Sequence, residues 1–252
     1  MKALGLLRRS FEHGVHPAHH KGQTADLPIQ RVPFGKHYVM PLGQHIGVPA
    51  KPVVAAGERV TRGQLIAEPG GFVSTALHSP VTGTVKDIGN HRGVDGRFAP
   101  AIAIEADAFA TQAIDPDSAI DWQSLSLEDF IKAVQMAGIV GMGGAAFPAH
   151  VKLSVPDGVK IRHLLINGAE CEPYLTTDHR LMLERPEALL EGAEIMRQKL
   201  GAEETVIGVE MNKPDAIDML HKHIDPDQPV RVVPLKVKYP QGAEKMMIKS
   251  VF

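Results

Sequence analysis

The second half of the chain alternates short apolar runs, typical of buried strands, with segments whose apolar residues recur at helical spacing. The predicted strands are residues 163–167, 205–210 and 230–238. The predicted helices are residues 126–138, 145–153, 186–200 and 214–223. In the first of these helices, Ser126 can cap the start and Gly138 can end it. Strands that alternate with helices predict a parallel, doubly wound sheet, so we expect ligands beyond the carboxyl ends of the strands.

The first half has a different pattern. Between residues 40 and 106, strand-sized apolar groups recur with glycine-containing turns between them, which predicts a small antiparallel barrel or sandwich. The segments GERVTRGQLIAE (57–68) and HSPVTGTVKDIG (78–89) resemble the two halves of a biotinyl or lipoyl domain, the barrel-sandwich hybrid. Those carrier domains present a modifiable lysine at a hairpin tip. The corresponding tip here, residues 69–73, has none, so we expect a structural module without a swinging arm.

The region before this module, residues 11–39, is rich in Gly, Pro and His and has no helical period, so it predicts an extended arm. Two interpretations of its histidines are open: His16, His19 and His20 bind a ligand or phosphate, or the arm is simply held along a domain surface. The expected domains are an arm at 1–39, a barrel-sandwich hybrid at 40–110, a linker at 111–124 and a Rossmann-like domain at 125–252.

Composition narrows the function. The 252 residues are 44% apolar and carry a formal charge of −2 without a basic stripe, which argues against a nucleic-acid partner. Cys171 is the only cysteine, so this chain alone cannot ligate an iron–sulfur cluster. The 13 histidines show no metal-ligand spacing, and we expect no metal. No apolar run is long enough for a membrane span, so we expect a soluble cytoplasmic chain that attaches to a membrane only through a partner.

A cluster of glycines follows the first predicted helix, in GIVGMGGAAFPAHVK (138–152). Glycines accept positive φ and allow close approach, and the N–H groups at the start of the next helix point at an anion. This pattern indicates a phosphate cradle. The alternative is a glycine-rich loop that only turns a corner, and the cluster alone does not decide between them.

Three segments carry a resemblance to a known family. The stretches GMGGAAFPAHVK (141–152), NGAECEP (167–173) and YPQGAEKMM (239–247) resemble the segments that line the FMN and NADH pocket in the 51-kDa flavin subunit of respiratory complex I. The arm GVHPAHHKGQT and the barrel-sandwich hybrid module resemble the C subunit of the Rnf ion-translocating ferredoxin:NAD oxidoreductase. The resemblance to that protein runs from Leu6 to Lys249.

The resemblance implies a cofactor site with roles for each segment. Backbone N–H groups would bind phosphate, amide and carboxylate side chains would bind ribityl hydroxyls or a nicotinamide amide, and a tyrosine would contact a ring. For Glu170 and Glu172 the alternative is a solvated loop. The implied cofactor-binding residues are Gly141, Gly143, Gly144, Lys152, Asn167, Glu170, Glu172, Asp178, Tyr239, Gly242 and Glu244.

The resemblance also implies a function: the NADH- and FMN-binding part of a membrane-associated complex that couples electron transfer between NADH and ferredoxin to ion translocation. Its partners would be the other subunits, at the cytoplasmic side of the bacterial inner membrane. In the family, a cysteine-rich domain with two four-iron clusters follows the flavin domain, so we expect a truncated chain, with little or no activity by itself.

Four residues depart from the complex I pattern: Met142 replaces an arginine, Ala146 a glycine, Ala169 an aspartate and Ala243 a glutamate. The contacts of those side chains are therefore absent. An alternative function stays open, in which the chain is a docking or scaffold subunit that has kept the fold and lost cofactor binding.

Overall fold

The structure is a computed structural model that describes residues 9–114, 119–142, 144–156 and 158–252. Gly143 and the centre of the predicted linker, residues 115–118, lie outside the described residues. The chain forms two compact units. We call Val32–Asp157 the barrel unit, and the residues up to Arg31 together with Gly158–Phe252 the sheet unit.

In the part of the barrel unit that the structure describes, seven strands form two antiparallel sheets. One sheet has the order β1-β7-β6-β3 and the other β2-β4-β5. The strands are β1 (His37–Pro41), β2 (Lys51–Pro52), β3 (Arg59–Val60), β4 (Leu65–Glu68), β5 (Leu77–His78), β6 (Gly83–Arg92) and β7 (Phe98–Ala106). Val60, Ile66, Val85, Ile102 and Ile104 are buried in one apolar core between these strands. The predicted β module is therefore confirmed.

The described residues of the barrel unit also form two helices. Helix α1 (Leu127–Met136) begins as the sequence predicts, since the Ser126 hydroxyl accepts a hydrogen bond from the backbone N–H of Asp129 at 3.0 Å. Its buried Gln135 side chain donates to the carbonyl oxygens of Ser74 at 3.1 Å and Gly71 at 3.3 Å. Helix α1 thus holds the segment at the hairpin tip of the β module.

Helix α2 (Ala149–Leu153) is shorter than the predicted helix at 145–153. The residues before it form a turn instead, in which the N–H of Gly141 donates to the carbonyl of Phe147 at 2.8 Å and Ala146 has a φ of +46°. A left-handed residue cannot continue a right-handed helix, so the helix starts only after Pro148. Its buried His150 donates through Nε2 to the carbonyl of Phe72 at 2.7 Å.

The sheet unit is an α/β fold built on the parallel strands β8 (His163–Gly168), β9 (Glu204–Glu210) and β10 (Val230–Leu235), in the order β10-β9-β8. Helices α3 (Thr177–Glu184) and α4 (Pro186–Leu200) connect β8 to β9, and α5 (Pro214–His223) connects β9 to β10. Helix α6 (Glu244–Val251) follows β10. This arrangement confirms the predicted Rossmann-like parallel sheet.

Helices cover both faces of this sheet. Leu190 of α4 and Leu220 of α5 pack with Ile207 of β9 in one core. Val206, the preceding residue of β9, points to the other face, where it packs with Met247 of α6. Strand β9 is therefore the buried centre of the sheet, and its carboxyl end opens toward the loops of the predicted site.

Residues 9–31 lie along the sheet unit as an extended arm. Val15 forms an antiparallel bridge with Tyr239, and the Lys238 ammonium donates to the carbonyl oxygens of Phe11 and His13. Further along, the backbone N–H of Ile29 donates to the Glu184 carboxylate of α3 at 2.9 Å. The arm is thus fixed by both backbone and side-chain hydrogen bonds. Among the described residues, no helix is both long and apolar enough to cross a membrane.

Candidate functional site

The glycine loop lies in the barrel unit, directly after α1. Gly138 has a φ of +73°, and a Cβ there would lie 2.7 Å from the carbonyl oxygen of Ala76, so this position requires glycine for packing. Gly144 has a φ of +106°, and apart from its chain neighbours no described residue lies within 4 Å of the position of a Cβ. The backbone at Gly144 therefore faces open space that a ligand can approach.

Gly141 differs from both. Its N–H is already bonded to Phe147, and a Cβ at Gly141 would meet only the Phe147 carbonyl oxygen, at 3.7 Å. Gly141 therefore has no free backbone N–H for a ligand. It contributes only the space that a side chain would otherwise fill. Because its φ is not in the left-handed region, an alanine fits here without backbone strain.

The glycine loop forms one wall of a cavity of about 330 Å³. Its lining includes Gln44, His45, Thr75, Gly138, Gly141 and Gly144. The buried His45 ring donates from Nδ1 to the carbonyl of Ile46 at 3.0 Å and accepts at Nε2 from the N–H of Thr75 at 3.2 Å, which fixes its tautomer. The volume lies at the small end of the range of small-molecule pockets, roughly 300–1,000 Å³. The open glycine backbone and this volume fit the phosphate end of a flavin nucleotide.

Lys152, the predicted phosphate-binding lysine, is exposed at the end of α2, with its Nζ 5.7 Å from the centre of the Phe147 ring. Met142 is also exposed, at 91%. Lys152, Met142, Gly141 and Gly144 all belong to the barrel unit. The other predicted site residues belong to the sheet unit, and each set is described within its own unit.

In the sheet unit, the structure brings together two predicted segments that are far apart in sequence. The Asn167 amide donates to the carbonyl oxygen of Gly242 at 2.8 Å and accepts from the N–H of Ala169 at 3.1 Å. The N–H of Gly242 donates to Cys171 Sγ at 3.3 Å. These bonds join the carboxyl end of β8 to the segment before α6, as expected for a site at the carboxyl edge of a parallel sheet.

Glu170 and Glu172 have different environments. Glu170 is 2% exposed, and its carboxylate accepts from the backbone N–H groups of Asp178 at 2.6 Å and His179 at 3.3 Å. It therefore caps the N-terminal end of α3, where a negative charge is favourable. Glu172 is exposed, and its carboxylate stays accessible to a ligand.

The negative charges of the strand-end loop, residues 168–178, affect its titrating groups. Although Asp178 as a residue is exposed, desolvation of its carboxyl group, together with the charges of Glu170 and Glu172, raises the pKa of that group. Desolvation also raises the pKa of the Cys171 thiol, which is 5% exposed, against the opposing hydrogen bond from Gly242. Cys171 is thus a buried, protonated thiol at neutral pH.

A buried ion pair that no sequence motif marks supports this loop from below. Glu210, the last residue of β9, pairs at 2.9 Å with Lys213, and both are fully buried. The same Glu210 oxygen accepts from the backbone N–H of Glu170 at 3.2 Å. The sequence signal is a charged residue at the end of a strongly apolar strand, with a second charge of opposite sign three residues later.

A second missed residue is Lys21, in the arm. Its ammonium group donates to the backbone carbonyl oxygens of the strand-end loop. No local pattern points to it, because its partners lie about 150 residues away in sequence.

Tyr239 and Glu244 lie at the edges of the second segment. Tyr239 is partly exposed, and its backbone is bridged to Val15 of the arm. Glu244 is exposed in the first turn of α6. Among the described residues, no group of three or more His, Cys, Asp or Glu side chains is arranged to hold a metal ion.

Comparison with known sequence families identifies two domains. Residues 9–109 match the RnfC barrel sandwich hybrid domain, and residues 134–252 match the Nuo51 FMN-binding domain. The glycine loop, the strand-end loop and the segment before α6 all fall within the second match.

Curated relatives align with nearly the whole chain. The C subunit of the proton-translocating ferredoxin:NAD(+) oxidoreductase complex of Clostridium ljungdahlii is 42% identical, over 95% of this chain and 52% of the relative. The C subunit of the Na(+)-translocating complex of Acetobacterium woodii is 40% identical, over 98% and 56%. The C subunit of the ion-translocating oxidoreductase complex of Pseudomonas aeruginosa is 43% identical, over 95% and 31%.

The chain therefore spans about half the length, or less, of these relatives. It combines an RnfC-type barrel sandwich hybrid with a domain of the Nuo51 FMN-binding type, in that order. By sequence and by domain composition, this chain is a homologue of the C subunit of the Rnf ion-translocating ferredoxin:NAD(+) oxidoreductase complexes.

Proposed function

We propose that this chain is the FMN- and NADH-binding part of a membrane-associated complex that couples electron transfer between NADH and ferredoxin to ion translocation. The observation that carries the proposal is the open glycine loop and its cavity, which lie in the segment that matches an FMN-binding domain. The names of the relatives supply the coupled reaction.

In this proposal the glycine loop binds the phosphate of FMN. Gly144 offers open backbone, and Gly141 leaves room because it has no side chain. Lys152 is the nearby positive charge along the chain, at the end of the helix that follows the loop. The exposed Met142 cannot add a charge, so we assign phosphate binding to the backbone, with Lys152 as the only charged contribution from residues 138–152.

The sheet unit, taken by itself, also offers polar groups suited to a nucleotide. Asn167 and Gly242 are fixed against each other at the edge of the sheet, and the exposed Glu172 carboxylate can accept hydrogen bonds from hydroxyl or carboxamide groups. Glu170 and Glu210 act beneath them by fixing the loop. Bound FMN would accept a hydride as an electron pair and pass electrons on singly. The protein orients the reactants, and no side chain acts as a nucleophile.

The electrons need acceptors that this chain cannot provide. A four-iron cluster takes four cysteine ligands, whereas Cys171 is the only cysteine here. We therefore place the clusters, and the ion path, in other parts of the complex. Its other subunits are the proposed partners, and the proposed location is the cytoplasmic side of the bacterial inner membrane.

A titration of FMN into the purified chain tests the binding step, with flavin fluorescence as the readout. We expect saturable quenching by the wild-type chain and at least about tenfold weaker binding by Gly141→Ala, whose added methyl group occupies space meant for the ligand. Gly192→Ala is the matched control, since a Cβ there meets nothing within 4 Å on helix α4. Equal FMN affinity of the two variants would show that the glycine loop does not take part in FMN binding.

Gly144 is a less suitable position for this test. Its φ of +106° strains any other residue, so a substitution there would change fold and ligand binding together. The alternative function, a scaffold subunit without cofactor, predicts no quenching by the wild-type chain either. The match to an FMN-binding domain favours the cofactor-binding function over that alternative.

A further inference from the structure

Lys21 in the N-terminal arm makes an unusual set of contacts. Its ammonium group donates to the backbone carbonyl oxygens of Glu170 at 2.8 Å, Glu172 at 3.1 Å and Leu175 at 2.5 Å. A lysine ammonium has three N–H donors, and these three oxygens use all of them. The loop of residues 170–175 is therefore wrapped around one side chain from a distant part of the sequence.

This arrangement determines which side chains of the loop are exposed to solvent. With the carbonyl groups directed at Lys21, the side chains of Glu172 and Tyr174 are exposed, Tyr174 at 62%. Tyr174 also has a φ of +70°, which is strained for a residue other than glycine and persists only where the surroundings enforce it.

The arm supplies that enforcement. The N–H of Tyr174 donates to the carbonyl of His19 at 2.9 Å, and its ring stacks on the ring of His20, with 5.1 Å between the ring centres and 15° between the planes. His19 and Lys21 thus fix the backbone of this loop, and His20 holds the ring of Tyr174. His19 acts here through its backbone carbonyl and His20 through its ring.

Lys21 also balances charge. The carboxylates of Glu170, Glu210 and Glu172 stabilise its ammonium form, while burial and, next in size, the Lys213 ammonium act against it and lower the pKa of Lys21. Without Lys21, the loop would lose three charge-assisted hydrogen bonds and one of the two ammonium groups near these carboxylates. Such bonds are stronger than those between neutral groups.

We propose that Lys21 is a positioning residue for NAD(H): it fixes the loop of residues 170–175 so that Glu172 and Tyr174 are presented to the dinucleotide. An exposed ring provides a face for a planar base, and an exposed carboxylate accepts hydrogen bonds from ribose hydroxyls or the carboxamide. This inference rests on the proposed function, since the dinucleotide enters from there.

The order of the loop can be measured without any cofactor. Cys171 is the only cysteine, is buried, and lies between two residues whose carbonyls bind Lys21. We expect Lys21→Met to raise the rate at which a thiol reagent labels Cys171 by at least about tenfold, the size expected for the loss of charge-assisted hydrogen bonds. Lys222→Met, at an exposed lysine of α5, is the control and should leave the rate unchanged.

The second readout separates positioning from mere stability. In the FMN-loaded chain, with ferricyanide as electron acceptor, Lys21→Met should raise KM for NADH about tenfold or more while kcat and FMN affinity change less than about twofold. Lys21→Arg keeps the charge, but its planar guanidinium cannot direct three donors from a single nitrogen, so we expect it to restore only part of the loss.

Unchanged labelling in Lys21→Met, or faster labelling with an unchanged KM, would overturn the inference. If Lys21→Met does not fold, Lys21→Arg carries the test. A labelling rate and a KM for NADH in Lys21→Arg that both equal those of the wild-type chain would then overturn the inference. A wild-type chain that binds FMN and oxidises NADH in these assays upholds the proposed function whatever the variants do. A wild-type chain that does neither would overturn that function, and with it the assignment of Lys21 to a dinucleotide.

Discussion

The carboxylate of Glu170 accepts a hydrogen bond from the backbone N–H of Asp178 at 2.6 Å. The family resemblance implies cofactor-binding roles for both residues. In the structure, Glu170 caps the first turn of helix α3 and Asp178 is the second residue of that helix. The acidic loop at the end of β8 is therefore partly a structural element, which holds its exposed member, Glu172, in place.

Glu170→Ala should destabilise the chain far more than Glu172→Ala. The first change removes a buried acceptor of two backbone hydrogen bonds and should lower the free energy of unfolding by about 2–3 kcal/mol. The second removes an exposed side chain and should cost less than about 0.5 kcal/mol. Urea unfolding of both variants measures this, and similar losses would contradict the assignment of Glu170 as a cap.

Lys213→Met tests the buried ion pair beneath the loop. The change leaves the Glu210 carboxylate buried without its cation and should cost about 3–5 kcal/mol of unfolding free energy. The double variant Lys213→Met, Glu210→Gln removes both charges of this pair and should recover part of that loss. A double variant as unstable as the single one would show that the charge of Glu210 is not the cause.

Acid should weaken the sheet unit through Glu204. Hydrogen bonds from Arg231, and then the charge of Arg231 and a bond from His163, hold the pKa of Glu204 below its ordinary value. A depressed pKa in the folded state gives stability that is present above the unfolded pKa, about 4.3, and is lost as pH falls through the folded pKa. Glu204→Gln should therefore lower the unfolding free energy at pH 7, with a smaller difference in stronger acid.

The control for this prediction is Glu191→Gln, at an exposed position of α4 in the same unit. It should leave the pH dependence of the unfolding free energy close to that of the wild-type chain. Urea titrations at neutral pH and at two acidic pH values are sufficient. A difference between Glu204→Gln and wild type that grows as the pH falls would have the wrong sign.

Sequence periodicity was sufficient to predict the strands and helices that depend on local pattern. The parallel strands, the helix capped by Ser126 and the β module appear where the apolar spacing places them. Helix α3 was not predicted, because its first turn is capped by Glu170, which lies outside the helix and is itself held by Glu210. Helix α2 starts late because Ala146 takes a left-handed conformation, for which an alanine gives no signal.

The same limit applies to the candidate site. The glycine loop and the acidic loop are visible as short motifs, and the resemblance to a family assigns them a purpose. The sequence does not distinguish Glu170 from Glu172, since burial separates them and burial depends on the packing of α3. Lys21 is also invisible to local patterns, because its three acceptors are backbone oxygens about 150 residues away.

Reduction of bound FMN by NADH tests the central claim most directly. The purified chain is loaded with FMN under anaerobic conditions, and the visible absorbance of the oxidised flavin is followed while NADH is added. The account predicts that the absorbance of the protein-bound flavin bleaches, and that Gly141→Ala shows less bleaching because it retains less flavin. Wild-type protein that retains no flavin, or retains flavin that NADH does not bleach, would contradict it.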